Sequence, residues 1–109
     1  MEEFRNMYRI LRILQKSMDL EEFDRATISA EALGLSEPMW RRLMTQLVRK
    51  GFIEGVRVIR YDQSDIPLIK YTGCPEITME GLQFLEENSM MRKLAQGAKG
   101  IIEIIGDLK

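Results

Sequence analysis

Residues 36–53 read SEPMWRRLMTQLVRKGFI and join an amphipathic helix to the start of a strand. Ser36 is a good N-cap, and Pro38 falls in the first helical turn, where its missing N–H costs little. Apolar side chains recur at i, i+3, i+4, i+7 and i+8: Trp40, Leu43, Met44, Leu47 and Val48. This spacing predicts one buried helix face, with Trp40 as a packing anchor. Gly51 ends the helix, and a segment rich in Val and Ile follows it.

The opposite face of this helix is basic and polar. It carries Arg41, Arg42, Thr45, Gln46 and Arg49. Such a face is what a major-groove reader presents to phosphates and base edges. Two further cations, Arg57 and Arg60, lie in the next segment, and on a regular strand their spacing of three puts them on opposite faces. The alternative is a solvated surface, on which Glu37 and Arg41 are ordinary i, i+4 neighbours.

The order of the predicted elements indicates a fold. We expect a helix over residues 4–18, whose wide apolar stripe touches several neighbours, and a short strand at 25–28. A short helix at 30–33 follows, capped by Ser29 and ended by Gly34. Strands at 52–61 and 68–72 flank a turn at 62–65, Gly55 marks a bulge, and residues 73–75 break the structure. Thr78 begins a helix over 79–88, and Ser89 begins the last one. This order is that of an α+β winged helix-turn-helix with a C-terminal helical extension.

Three segments resemble the YjcQ family of small winged-helix proteins, which are encoded in bacterial chromosomes and prophages. They are YRILRIL (8–14), RKGFIEGV (49–56) and ITMEGLQFLEENS (77–89). The resemblance covers most of the chain and implies a winged-helix fold. It supplies no catalytic motif, and its link to DNA is an argument from fold.

Composition limits the possible functions. The 109 residues, 45% of them hydrophobic, suffice for one domain, which we divide into a winged-helix core at 1–77 and C-terminal helices at 78–109. Because the chain has no His and only Cys74 as cysteine, zinc sites and nucleophile–His–acid arrangements are excluded. We expect no cofactor, no metal and no enzymatic activity. We predict a cytoplasmic protein without membrane contact, because the sequence has a single cysteine, no signal-like start and no long apolar run.

The charge is unevenly distributed. Residues 38–60 contain six basic side chains and one acidic, a net +5, although the whole chain carries −1. Residues 19–37 and 61–88 each contain six acidic side chains and one basic, a net −5. The protein should therefore have one positive side between acidic ones.

The C-terminal segment carries a long one-sided apolar stripe. Its members include Leu94, Ala98, Ile101, Ile102, Ile105 and Leu108. The stripe either packs within the chain or pairs with a second copy, which would space two recognition helices along DNA. We favour the homodimer, because the stripe is long for a domain whose core already has five elements.

These observations favour a sequence-specific double-stranded DNA-binding protein that regulates transcription, such as one encoded in a prophage. The predicted contacts are Arg41, Arg42, Thr45, Gln46, Arg49, Arg57 and Arg60. The competing hypothesis is a protein-interaction module on a winged-helix scaffold, which the near-zero net charge and the two acidic segments favour.

Overall fold

A computed structural model describes residues 2–61 and 66–95. The elements in order are α1 (Glu2–Ser17), a 3₁₀ helix (Arg25–Ile28), α2 (Ala30–Leu33), α3 (Glu37–Arg49), β1 (Ile53–Ile59), β2 (Leu68–Ile77) and α4 (Met79–Ala95). The two strands pair antiparallel. Over the described ranges the protein is therefore a mixed α+β structure of four α-helices and one hairpin, an arrangement compatible with a winged helix. None of these helices is both long enough and apolar enough to cross a bilayer.

The predicted boundaries of α2 and α3 are confirmed by their capping contacts. The Ser29 hydroxyl accepts a hydrogen bond from the Ala32 N–H at 3.1 Å, and Ser36 accepts one from the Met39 N–H at 3.2 Å. Gly34 ends α2 in the left-handed conformation, with φ at +72°, which costs glycine little. Only Gly34, Leu35 and Ser36 separate the two helices, so their relative orientation is set by a short turn.

Residues 25–28 form a 3₁₀ helix, and the prediction of a strand there was wrong. The Asp24 carboxylate accepts a hydrogen bond from the Ala26 N–H at 2.9 Å, and the Asp24 carbonyl accepts one from Thr27 at 3.1 Å. This local capping competes with strand pairing. The Ile28 carbonyl already has a hydrogen-bond donor, because it accepts the Trp40 indole N–H at 2.7 Å. The described sheet is consequently two-stranded.

The core lies between α1, α3 and the inner face of the hairpin. Its fully buried side chains include Ile10, Leu11, Leu14, Ile28, Met44 and Leu47. As its wide stripe predicted, α1 packs against α3, α4 and β2. Trp40 is 9% exposed and belongs to this core, which confirms it as a packing anchor.

The hairpin contains the irregularity that Gly55 predicted. Glu54 pairs with Glu76 and Val56 with Tyr71, so Gly55 alone opposes residues 72–75. Gly55 has φ at +80°, and a Cβ built on it would lie 2.4 Å from the Cys74 carbonyl oxygen. β2 was predicted to end at residue 72 but continues to Ile77, because the bulge absorbs the extra residues. The predicted turn at 62–65 lies outside the described residues.

The start of α4 is fastened to the start of β1. The Thr78 N–H donates to the Phe52 carbonyl at 2.9 Å, while the Thr78 hydroxyl donates to the Gly51 carbonyl and accepts the Gly81 N–H at 3.1 Å. The Phe52 and Phe84 rings lie 4.9 Å apart. Thr78 therefore caps α4, as predicted, and holds the helix on the hairpin.

α4 continues past Ser89, so the prediction of a new helix beginning there was wrong. The Ser89 hydroxyl donates to the Glu86 carbonyl of the preceding turn at 3.0 Å and caps nothing. A Ser bonded back to its own helix is compatible with an uninterrupted helix, whereas the same residue at an N-cap would begin one. The predicted last helix beyond residue 95 lies outside the described residues.

Candidate nucleic-acid interface

Three of the predicted contact residues form a ridge along the outer face of α3. Arg42, Gln46 and Arg49 are exposed and follow each other at i, i+4 and i+7, which puts them on one line of the helix. The exposed Lys50 extends this ridge at the C-cap of α3. Because the buried side of α3 is anchored by Leu43, Met44 and Leu47 among others, the ridge stands on a rigid support.

Arg41 is less available than the ridge residues. Its Nε donates to the Glu37 carboxylate at 3.2 Å, and its side chain is 33% exposed. The surface neighbours that the alternative interpretation expected are therefore present. An exposed ion pair of this kind is worth at most about 1 kcal/mol, so a phosphate can displace Glu37 at a modest cost.

Thr45 is buried, so its predicted position on the exposed face was wrong. The side chain is 2% exposed, and its hydroxyl donates to the Arg41 carbonyl at 2.7 Å. α3 packs against α1, β1 and β2, and its buried arc is consequently wider than the apolar stripe alone indicated. A side chain in this position cannot reach a base edge without unfolding the helix.

The hairpin presents further cations on its outer face. Arg57 is exposed and lies directly opposite the exposed Lys70 in the ladder. On the inner face, Val56 pairs with Tyr71 and Val58 with Ile69. Of these four side chains, Val56, Ile69 and Tyr71 pack against the core.

Arg60 lies just beyond the last residue of β1 and is also exposed. The alternation that would separate it from Arg57 does not apply, because the strand ends at Ile59. Sequence reasoning missed Lys70, since its position opposite Arg57 depends on the register of the hairpin.

Two carboxylates share the outer face with these cations. Glu54 and Glu76 are both exposed and lie opposite each other on the far side of the Gly55 bulge. Within the described ranges, the carboxylate that pairs with α3 is Glu37 and not Glu54. Asp62 and Asp65, which lie between the two strands in the sequence, are outside the described residues.

Tyr71 connects the inner face of the hairpin to the 3₁₀ helix. The Arg25 guanidinium lies 4.9 Å from the centre of the Tyr71 ring, a cation–π distance. Burial raises the pKa of the Tyr71 phenol above its ordinary value, and the positive charge of Arg25 offsets part of that rise. This contact joins the segment predicted as a strand to β2 without backbone pairing.

Of the predicted dimer interface, one residue belongs to the described part of the chain. Leu94 lies in α4, whereas Ala98, Ile101, Ile102, Ile105 and Leu108 lie outside the described residues. In the part of the chain that is described, no three His, Cys, Asp or Glu residues gather as a metal site would require.

The resemblance in three segments has a counterpart in the structure, because two of those segments touch. Gly51 and Phe52 of the second segment contact Thr78, Gly81 and Phe84 of the third. No curated protein and no solved structure matches the chain significantly. The family model described as YjcQ protein matches residues 8–104. Since this match covers most of the chain, the protein belongs to the YjcQ family.

Proposed function

We propose that this protein is a winged helix-turn-helix DNA-binding protein that regulates transcription. The observation that carries the proposal is the exposed ridge of Arg42, Gln46 and Arg49 on a helix whose other side is anchored in the core. A rigid helix with long basic and amide side chains matches the geometry and chemistry of major-groove recognition.

The order of the elements supports this assignment. α2, the turn at Gly34 and α3 correspond to a helix-turn-helix, and the β1–β2 hairpin corresponds to a wing. The 3₁₀ helix takes the place of a first strand. α3 is then the recognition helix, and its ridge faces the groove.

Each ridge residue has a distinct expected role. Arg42 and Arg49 contact phosphates or guanine edges, and Gln46 reads a base edge, with adenine as its best bidentate partner. Arg41 joins them once a phosphate replaces Glu37. Thr45 has no role in this interface, because it is buried.

The proposal is tested by fluorescence anisotropy with a random-sequence duplex library at low and physiological salt, followed by sequencing of the bound fraction. We expect an enriched motif and an affinity that falls as salt rises. Arg42→Ala should weaken binding and, if it contacts a phosphate, reduce the slope of log K against log salt by about 0.9. Gln46→Ala should change the motif at one position. Lys16→Ala, which removes an exposed charge at the end of α1, is the control.

A protein-interaction module is the second candidate, and an exposed apolar pair favours it. Met18 and Leu20 are 61% and 62% exposed, and the acidic residues Asp19, Glu21, Glu22 and Asp24 are close to them in the sequence. Such a surface suits a partner that is both apolar and basic. No duplex binding even at low salt would make this function the leading one.

We also propose that the protein forms a homodimer through the apolar stripe of its C-terminal segment. Such a dimer would place two α3 ridges on a two-part operator. Sedimentation at tens of micromolar tests this directly. A monomer at that concentration refutes the dimer and leaves the DNA-binding proposal standing for a single half-site.

A further inference from the structure

The outer face of the hairpin carries a pair of like charges that the fold itself does not need. Arg57 and Lys70 are partners in the ladder, and both are exposed. Like charges directly opposite each other destabilise a sheet. Within residues 2–61 and 66–95, no carboxylate forms an ion pair with either side chain.

The two cations themselves indicate a ligand of opposite charge. Next to the pair, towards the hairpin tip, lie the partly buried Ile59 and Leu68, which are also ladder partners. On the other side lies the Gly55 bulge. Features that break a local rule of stability are expected where a protein binds something, and two adjacent cations on a solvent-facing sheet suit an anion.

We propose that Arg57 and Lys70 together bind one backbone phosphate of duplex DNA, a contact that rests on the proposed function and adds Lys70 to its interface. Cβ atoms of directly opposed residues lie about 4.5–5.5 Å apart, so both long side chains reach the oxygens of a single phosphate. The contact is independent of base sequence and positions α3 over the groove.

The carboxylate pair on the same face limits the direction of approach. Glu54 and Glu76 lie beyond the bulge from the two cations. They repel phosphate within about one Debye length, which is about 10 Å at 0.1 M salt. The acid pair therefore disfavours approach of a phosphate across the bulge and weakens binding at low salt.

The test uses the full chain, a duplex selected by the wild type, and anisotropy titrations between 50 and 200 mM salt. R57Q/K70Q should reduce the slope of log K against log salt by about 0.9, the value for one phosphate, and leave the ranking of base substitutions unchanged. The two single variants should be non-additive, because they share one phosphate. E54Q/E76Q is the matched control on the same face, and we expect it to tighten binding at 50 mM salt.

Thermal unfolding separates this role from a structural one. Because R57Q/K70Q removes a repulsion, its Tm should equal or exceed that of the wild type, and a lower Tm would overturn the proposal. An unchanged slope of log K against log salt would also overturn the proposal. So would a reduction of that slope by about 1.8, because it would mean that the two side chains contact two separate phosphates.

If the wild type binds DNA and the slope of R57Q/K70Q is unchanged, only this contact fails. If the wild type binds no duplex, the proposed function fails with it. A loss of self-association in both double variants, with the salt slope unchanged, would assign the face to a second copy of the chain and overturn the phosphate contact.

Discussion

Replacing Gly55 by alanine tests the bulge that shapes the hairpin. The backbone there has φ at +80°, and the added Cβ would lie 2.4 Å from the Cys74 carbonyl oxygen, 3.0 Å from its carbon and 3.2 Å from the Pro75 Cα. All three atoms belong to the backbone. No side chain can rotate away, so β2 itself must move.

The expected change in the free energy of unfolding combines two destabilising effects and one stabilising effect. A left-handed conformation costs an alanine about 1–2 kcal/mol. Relieving the contact requires the Cys74 carbonyl to shift by at least about 0.6 Å, in a segment held by ladder pairs on both sides. We assign this shift a cost of about 1–2 kcal/mol, at the low end of the costs of overpacking. The reduced entropy of the unfolded chain stabilises the folded state by about 0.4–1 kcal/mol. The net destabilisation is therefore about 2–3 kcal/mol.

The assay is thermal and urea unfolding followed by circular dichroism. For a domain of this size, 2–3 kcal/mol corresponds to a fall in Tm of roughly 10–20 °C. Gly34→Ala is the matched control, because Gly34 also has a positive φ, +72°, but nothing lies within 4 Å of its added Cβ. Gly34→Ala should be destabilised only by the cost of the left-handed conformation and not by a close contact. If Gly55→Ala is no more destabilising than Gly34→Ala, the close approach of Cys74 to Gly55 is refuted.

Three further predictions concern the core and the candidate interface. Thr45→Val should leave DNA affinity and salt slope unchanged in anisotropy titrations, because the residue is buried; a clear loss would return Thr45 to the interface. Trp40→Phe should cost about 2–4 kcal/mol in urea unfolding, since it leaves the Ile28 carbonyl without its indole donor and a gap beside it. The raised pKa of Tyr71 stabilises the fold below pH 10.0, the phenol's ordinary value, and this contribution is lost as pH rises through the folded-state pKa. Tyr71→Phe should therefore flatten the decline of unfolding free energy above pH 10.0, and an unchanged decline would contradict the burial of the phenol.

Local signals predicted the helices well, because caps act within four residues. Ser29, Ser36 and Thr78 each bond the backbone of the turn that they begin, and their spacing to the following apolar residues is visible in the sequence. Ser89 shows the limit of the same rule. A serine caps a helix or bonds back to it according to the conformation of the preceding residues, and a single sequence does not decide between them.

The other errors arise mainly from tertiary contacts. Thr27 and Ile28 favour a strand, but the capping by Asp24 and the bond from Trp40 hold them in a 3₁₀ turn. Thr45 is polar, yet the elements packed on α3 cover it. Lys70 joins Arg57 only through a register that a bulge has shifted. Apart from the local cap by Asp24, the deciding neighbour in each case is distant in sequence or depends on how elements dock.

The two-stranded sheet has a consequence for the order in which the structure opens. With a single ladder, each strand leaves one row of backbone amides without a sheet partner in the described structure, and such amides exchange with solvent readily. The amides of α1 and α3 sit within helices that line the core and should exchange last. The hairpin would then be the first unit to open and the helices the last. In the proposed DNA-binding role, the protein would combine a rigid reading helix with an adjustable phosphate contact, and would accommodate variation in groove width without loosening α3.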